Sequence, residues 1–249
     1  MIARRGRVGD RLAGLPAARI VKPLARDAGH MRSGGRRAIN DILRGLPVSS
    51  AGRRTLRRSG GRVGEGTMPI VSLRASDFDA TTRVAAFQDA VSAICKLDIV
   101  PDHLDRFTSE TVIGVLPTLV TGIGIHSACR AERTTGLAAE TGDNLMIHIP
   151  VAGGFSMHQH GGVAVDCAPG IIYVDPNEVP GRARFHGARS EVFYVSLPRG
   201  VLASCGSRLD RMLRGTAPLT PQWRLFSRYA RALHDEMAGL STDEALRCA

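Results

Sequence analysis

The hydrophobic pattern first predicts a helix that begins near Asp77. In the segment DFDATTRVAAFQDAVSAI, apolar residues recur at helical spacing. Four of them share one helical face: Val84, Phe87, Val91 and Ile94. Asp79 or Thr82 can cap the helix, because their side chains accept hydrogen bonds from free backbone N–H groups. Pro101 ends this periodic pattern, which therefore predicts one amphipathic helix at the start of the folded part.

Short strands come next, separated by glycine and proline. The runs TVIGVLPTLVTGIGIHSACRAER and NLMIHIPVAGGFSMHQHGGVAVDCAPGIIYVDP are rich in Val, Ile and Thr and alternate in polarity. Gly161-Gly162 and Pro169-Gly170 predict tight turns between strands. RARFHG and EVFYVSLP supply the last strands. About eight short strands with turns every 8–12 residues predict a small β-barrel or jelly roll.

Helical periodicity returns after Pro198. PRGVLAS predicts a short helix, and Thr220-Pro221 predicts the start of a longer one, because threonine caps and proline fits the first position. Apolar residues then recur in a seam: Phe226, Tyr229, Leu233, Met237 and Leu240. This seam suits either packing onto the barrel or a dimer contact between two helices. STDE at 241–244 is a capping box that opens a further helix.

Charge separates the first 67 residues from the rest. Residues 1–67 carry 16 Lys/Arg and 4 Asp/Glu, whereas the whole chain has a net charge of +10. The remainder is therefore slightly acidic, with a net charge of −2. The basic excess that points to a nucleic-acid partner belongs only to the first segment.

The Arg/Gly-rich leader at 1–67 is predicted to be disordered, because it has no aromatic residue and too little apolar surface to offset ordering entropy. It is either a basic arm or a segment ahead of the true start. Glu65-Gly66 must be encoded by a GAGG- or GAAGG-like string, which resembles a ribosome-binding site before Met68. The domain prediction is a leader at 1–67, an effector-binding domain at 68–205 and a truncated helical linker or dimerisation segment at 206–249.

The cysteine pattern and hydropathy narrow the class further. The five cysteines form no CxxC pair, so neither a zinc site nor a disulfide framework is predicted. No uncharged apolar run reaches the length of a membrane span. Arg4-Arg5 lacks the apolar segment of a twin-arginine signal. We therefore expect a cytoplasmic protein that has no cofactor and makes no membrane contact.

Four segments follow one another in a characteristic order: ERTT at 132–135, GGFSMHQHGGVAVDCAPGIIYVDP, FYVSLPRGVL and WRLFSRYARALHDEMAGLS. This series resembles the AraC/XylS family of bacterial transcription regulators, specifically their N-terminal ligand-binding domain. The resemblance runs from about Ser72 to the C-terminus. It implies a mainly β fold: a cupin-like barrel preceded by one helix, followed by linker helices, binding a small effector and often dimerising.

The resemblance also implies a C-terminal DNA-binding half with two helix-turn-helix motifs, for which no residues follow Ala249. The chain is accordingly expected to be a truncated regulator and not an enzyme. It would bind an unidentified small-molecule effector and pair with itself or with an intact homologue. DNA contact would require the missing domain.

Four residues are candidates for effector binding. Arg130 and Arg133 follow a strand and could meet an anionic effector, or pair with Glu132 or Asp143 at the surface. His148 points either out of the core or into a pocket. Tyr173 is an amphipathic aromatic residue for which core packing is the default.

The alternative function is a small metal-dependent cupin enzyme. His158 and His160 lie two apart on one strand, so both rings face the same side, and imidazoles at this spacing chelate divalent metals. His186 could supply a later ligand. The set lacks a glutamate, since Asp166 is the only acidic residue soon after His160, and a hairpin turn directly follows the pair.

Overall fold

The computed structural model describes residues 70–92, 95–116, 119–141, 144–159, 162, 164–201, 213, 215–241, 244 and 247. The leader at 1–67, Asp143, His160 and residues 202–204 of the short helix expected in PRGVLAS lie outside this set. The predictions made for them therefore stay predictions.

Strands dominate the described part of the chain. They are β1 Ile70–Arg74, β2 Asp98–Pro101, β3 Ser109–Val115, β4 Val120–His126, β5 Cys129–Arg133, β6 Asn144–Ala152, β7 Phe155–Gln159, β8 Val165–Cys167, β9 Ile171–Pro176, β10 Gly181–Phe185, β11 Ser190–Pro198 and β12 Thr216–Pro218. The helices are α1 Arg83–Val91, α2 Thr135–Ala139 and α3 Pro221–Glu236. Short 3-10 turns at Ala75–Asp77 and Met237–Gly239 precede α1 and extend α3.

The strands form two antiparallel sheets that face each other as a cupin-like barrel. The first has seven strands in the order β1-β3-β4-β11-β6-β9-β12, and the second has five in the order β2-β5-β10-β7-β8. Register is regular along β11 and β4, and the pair of β11 with β6 shifts once, between Glu191 and Val192. Phe193 lies opposite Ile123 of β4 and Ile149 of β6. The predicted mainly β, cupin-like fold is confirmed.

The central strands β6, β9 and β11 of the seven-stranded sheet are buried on both faces. On β11, Val192 and Tyr194 turn toward the barrel interior, whereas Phe193 and Val195 belong to a second apolar cluster on the outside. Ala230 of α3 completes that outer cluster. A strand covered on both sides needs apolar residues at nearly every position, which explains the continuous hydrophobic run of β6 and β11.

Helix α3 is fixed to this outer face at both ends. Thr220 caps it by accepting a hydrogen bond from the Trp223 N–H, as predicted. At the other end Met237 is fully buried. The Met237 side chain packs against Gly114 of β3, and a Cβ at that position would force the end of this side chain to shift.

The five-stranded sheet instead presents a charged outer face. Arg182 pairs with Glu132 of the neighbouring strand, and Arg184 donates to Asp102 at 2.9 Å. These side chains are exposed, so each pair contributes little to the free energy of folding. Solvent covers this sheet where α3 covers the other.

Several local predictions differ from the structure. The first helix begins at Arg83 rather than Asp77, because Ala75–Asp77 forms a 3-10 turn and Asp79 accepts hydrogen bonds from Thr81. Thr82 is the N-cap residue, but its side chain makes no capping bond. The structure adds three short strands (β1, β2 and β12) and helix α2. The capping box is confirmed in its reciprocal Ser241–Glu244 bonds.

Candidate functional site

A cavity of about 150 Å³ lies inside the barrel between the two sheets. Apolar side chains form most of its wall. They include Phe107, Ile113, Met146, Met157 and Phe185. On β4, Gly122 and His126 line the cavity, whereas the space beside Gly124 is filled by the rings of His126 and Tyr194.

A charged cluster forms one part of the cavity wall. Arg133 and Asp175 are almost fully buried and pair at 2.8 Å. The Arg133 Nε donates to the carbonyl of Val179 at 2.8 Å, and a terminal nitrogen donates to Asn177 Oδ1 at 3.2 Å. Gln159 Nε2 donates to Asp175 at 2.9 Å. The guanidinium is thus held by several acceptors as well as by its ion partner, as a buried charge requires.

His148 lies on the other side of Asp175. Its Nε2 is 3.6 Å from Asp175 Oδ2, beyond hydrogen-bond distance, and has no hydrogen-bond partner in the described residues. Burial alone raises the pKa of Asp175, but His148 and Arg133 together outweigh it, so this pKa lies below its ordinary value. The carboxylate therefore stays ionised between two nitrogen-bearing side chains.

A neutral chain of hydrogen bonds forms another part of the wall. Ser109 Oγ lies 2.8 Å from His126 Nδ1, and His126 Nε2 lies 3.1 Å from the Tyr194 hydroxyl. Burial lowers the pKa of His126 to about 4, so the ring is neutral near pH 7. Burial also raises the pKa of Tyr194, which keeps its hydroxyl protonated. No member of this chain carries a charge at neutral pH.

Two thiols, those of Cys95 and Cys129, also line the cavity. Burial raises the pKa of Cys95 to about 11 and that of Cys129 to about 12. A nucleophilic cysteine needs a lowered pKa, so these thiols act as small apolar groups at neutral pH.

The four effector-binding candidates divide into two pairs. Arg133 and His148 line the cavity, and Arg133 pairs with Asp175 rather than with Glu132. Arg130 lies on the outer face of β5, 3.9 Å from Glu132. Tyr173 is fully buried in the core beside His148 and is absent from the cavity wall.

The two described histidines of the metal hypothesis, His158 and His186, lie outside the cavity. His158 is exposed between Met157 and Gln159, which are buried. His186 is also exposed and lies 3.0 Å from the Ser156 hydroxyl. Among the residues that the structure describes, no three His, Cys, Asp or Glu side chains are grouped to hold a metal ion. His160 lies outside the described residues.

Four of the five seam residues pack toward the barrel. Leu233 and Met237 are buried, and Phe226 and Leu240 pack against the clusters beneath α3. Only Tyr229 of the five is exposed, at 54%. The sequence left open whether this seam packs onto the barrel or forms a dimer contact, and these four residues pack onto the barrel.

Sequence reasoning missed most of the polar site. Asp175, Ser109, His126 and Tyr194 were not candidates, although each falls on the same alternation phase as an inward neighbour. Asp175, for instance, is two residues from Tyr173. The signal was present as strand alternation, but alternation does not tell which face turns inward.

Comparison with known proteins shows the same fold. No protein-family model and no curated protein matches the sequence. The structure is similar to the AraC-like transcriptional activator CuxR, with a TM-score of 0.60 and 16% identity over 72% of this chain. The chain spans 65% of that protein's chain.

Two further structures match less well. Ectoine synthase from P. lautus has a TM-score of 0.31 and 13% identity, covering 45% of this chain and 76% of its own. KdgF from Halomonas sp. has a TM-score of 0.29 and 18% identity, covering 36% and 79%. TM-scores this low do not indicate that the whole folds agree.

No helix among the described residues is long and apolar enough to cross a membrane.

Proposed function

We propose that this chain is the effector-sensing domain of an AraC-type transcription regulator. A small molecule binds in the barrel cavity, and its binding changes how α3 packs on the outside of the seven-stranded sheet. The observation that carries the proposal is the cavity itself, which is lined by buried polar groups within a fold similar to that of an AraC-like activator. A buried pocket with a few oriented polar groups is typical of small-molecule sites.

A buried contact links the cavity wall to α3. Thr121 is part of the wall, and its Oγ1 lies 2.8 Å from Nδ1 of His234 on the helix. Arg231 of the same helix lies over the Phe193 ring at 5.8 Å. Both contacts pass through strands whose inner faces line the cavity. A ligand that moves β4 or β11 therefore changes contacts that hold the helix, which is the differential interaction that a sensor needs.

We further propose that the chain is a binding module rather than an enzyme. In this role the chain acts without a cofactor and without catalysis, in the cytoplasm, and reaches DNA only through a helix-turn-helix domain. Pairing with a second copy or with an intact homologue uses the exposed side of α3, where Tyr229 and Leu225 are 54% and 71% exposed.

The test uses adjacent residues with opposite orientation. The full chain is incubated with a deproteinised small-molecule extract of bacterial cells, and its thermal unfolding midpoint and deuterium exchange in α3 are measured. We expect a higher midpoint and slower exchange in residues 221–236. Ala183→Leu, which fills the cavity, abolishes both effects. Arg182→Leu, on the exposed outer face of the same strand, preserves both.

Two results contradict the proposal. One is an extract effect that persists in Ala183→Leu, which places the ligand outside the cavity. The other is a wild-type chain that shows no extract effect on α3.

A further inference from the structure

The size of the cavity limits its ligand to about one ring. Its volume is about 150 Å³. An apolar cavity of about this volume holds a benzene molecule in another protein. The ring-sized space is bounded by Phe107, Ile113, Met157 and Phe185, which favour an apolar body over a polyhydroxylated one. A sugar would bury more hydroxyls than these walls can pair.

The charged cluster disfavours an anionic ligand. Arg133 already contacts Asp175, Val179 and Asn177 through its nitrogens. An incoming carboxylate would have to displace these acceptors and would meet the charge of Asp175, which lies between Arg133 and His148. Burying a charge without a free partner is costly, so this wall selects against carboxylates.

The neutral chain has one hydrogen more than it has bonds to make. Ser109, Tyr194 and neutral His126 together bring three polar hydrogens, and two hydrogen bonds join them. One hydroxyl hydrogen, on Ser109 or on Tyr194, is therefore left over, and both residues line the cavity. In the described residues neither hydroxyl has a second partner. A buried donor without an acceptor is unfavourable, so a ligand that accepts this hydrogen bond is stabilised.

We propose that the cavity binds an uncharged, single-ring molecule that presents one hydrogen-bond acceptor to Ser109 or Tyr194. The class includes small aromatic or alicyclic ketones, ethers and alcohols, and it excludes carboxylates and free sugars. This inference rests on the proposed function, since it names the ligand class of the same cavity.

The test measures the affinity of the full chain for four probes by isothermal titration calorimetry: acetophenone, ethylbenzene, benzoate and glucose. Acetophenone and ethylbenzene have nearly the same size, but only the ketone accepts a hydrogen bond. We expect acetophenone to bind about fivefold tighter than ethylbenzene, as one neutral hydrogen bond provides. Benzoate and glucose are expected to show no saturable binding.

Two conservative variants locate the donor. Tyr194→Phe and Ser109→Ala each remove one hydroxyl, so the unpaired hydrogen moves to another atom of the chain. The variant that loses the hydroxyl facing the ligand is expected to abolish the ketone preference, while ethylbenzene affinity changes less than about twofold. Ser156→Ala, which removes an exposed hydroxyl on the outer face of β7, is the matched control and keeps the preference. The thermal unfolding midpoint of each variant checks that it is folded.

Three outcomes overturn the inference: tighter binding of benzoate or glucose than of acetophenone, an unchanged ketone preference in both variants, or no saturable binding of any probe. The first leaves the proposed sensor intact with a different ligand class. The proposed function itself fails only in the extract experiment with Ala183→Leu, so the two failures are distinguishable.

Discussion

Two polar clusters share one cavity and solve the problem of buried polarity in different ways. The Arg133–Asp175 cluster is charged, and its guanidinium has acceptors from three residues. The Ser109–His126–Tyr194 chain is neutral, and it keeps one hydrogen-bond donor unused. The saturated cluster acts as a structural clamp between β5 and β9. The neutral chain keeps one hydroxyl hydrogen free for a ligand, and Nε2 of His148, beside the charged cluster, is another polar atom of the wall without a partner in the described residues.

The difference shows that a charged residue in the wall is not always the one with an unused hydrogen-bonding group. Arg133 is the most obvious binding residue by type, yet its contacts leave it little capacity for a ligand. The neutral residues Ser109 and Tyr194 keep an unused donor, because a neutral histidine has one N–H and one acceptor nitrogen. It can therefore accept a hydrogen bond from only one of the two hydroxyls. Four experiments test this contrast, in order of expected effect.

Breaking the charged cluster has the largest expected effect. Asp175→Ala leaves the Arg133 charge buried without its ion partner, so the free energy of unfolding is expected to fall by about 3–5 kcal/mol. Urea denaturation measures the change. The matched control, Asp102→Ala, removes the partner of exposed Arg184 and should cost less than about 1 kcal/mol. Equal losses in the two variants would contradict a structural role for the buried pair.

The buried contact that leaves the cavity has the next largest effect. Thr121→Val removes the hydroxyl partner of His234, so we expect a loss of about 1–3 kcal/mol in unfolding free energy and faster deuterium exchange in α3. Thr111→Val changes another cavity-lining threonine and serves as the control. If deuterium exchange in α3 is unchanged in Thr121→Val, the Thr121–His234 contact does not couple the cavity wall to the helix.

Acid tests the neutral chain. The His126 pKa is about 4 in the fold and about 6.5 when unfolded, so protons favour the unfolded state. The contribution of His126 is fully present above pH 6.5 and is lost as pH falls toward 4, with roughly 2 kcal/mol of it lost by pH 5. His234, whose pKa burial also lowers, acts in the same direction.

Urea midpoints at pH 7.5 and pH 5 measure this dependence. The difference between the two midpoints is expected to shrink in His126→Gln, which cannot titrate, and a remaining part belongs to His234. If His126→Gln and the wild-type chain show the same difference between the two midpoints, the pH dependence does not come from His126.

Removing one end of the neutral chain has the smallest effect on stability. Tyr194→Phe keeps the ring and deletes one neutral hydrogen bond, so the unfolding free energy is expected to fall by about 1 kcal/mol. Chemical denaturation at pH 7.5 measures it. A loss as large as that of Asp175→Ala would show that the two clusters do not differ in kind.

Much of the fold could be predicted because its signals are local. The hydrophobic run NLMIHIP predicted a strand, and Thr220-Pro221 predicted the start of α3 at the position where it begins. The short strands β1, β2 and β12 could not be predicted in this way. They are three to five residues long and are defined by the partner strands beside them rather than by their own pattern.

The candidate site depended on contacts between distant segments. Arg133 and Asp175 are 42 residues apart, and Ser109 and Tyr194 meet through His126 only when β3, β4 and β11 pair. Arg133 and His148 could be singled out by residue type. Their partners could not, because a hydrogen bond between separate strands leaves no trace in the spacing of either strand.

By itself, the sequence determined that the chain after the leader alternates as a series of strands and ends in an amphipathic helix, since periodicity and caps act within a few residues. Only the tertiary structure decided which strand face encloses the cavity and which supports α3. On β6, Met146 and His148 turn inward while Ile147 and Ile149 meet the helix. Both faces are buried, so polarity alone does not distinguish them, and the closure of the two sheets makes the choice.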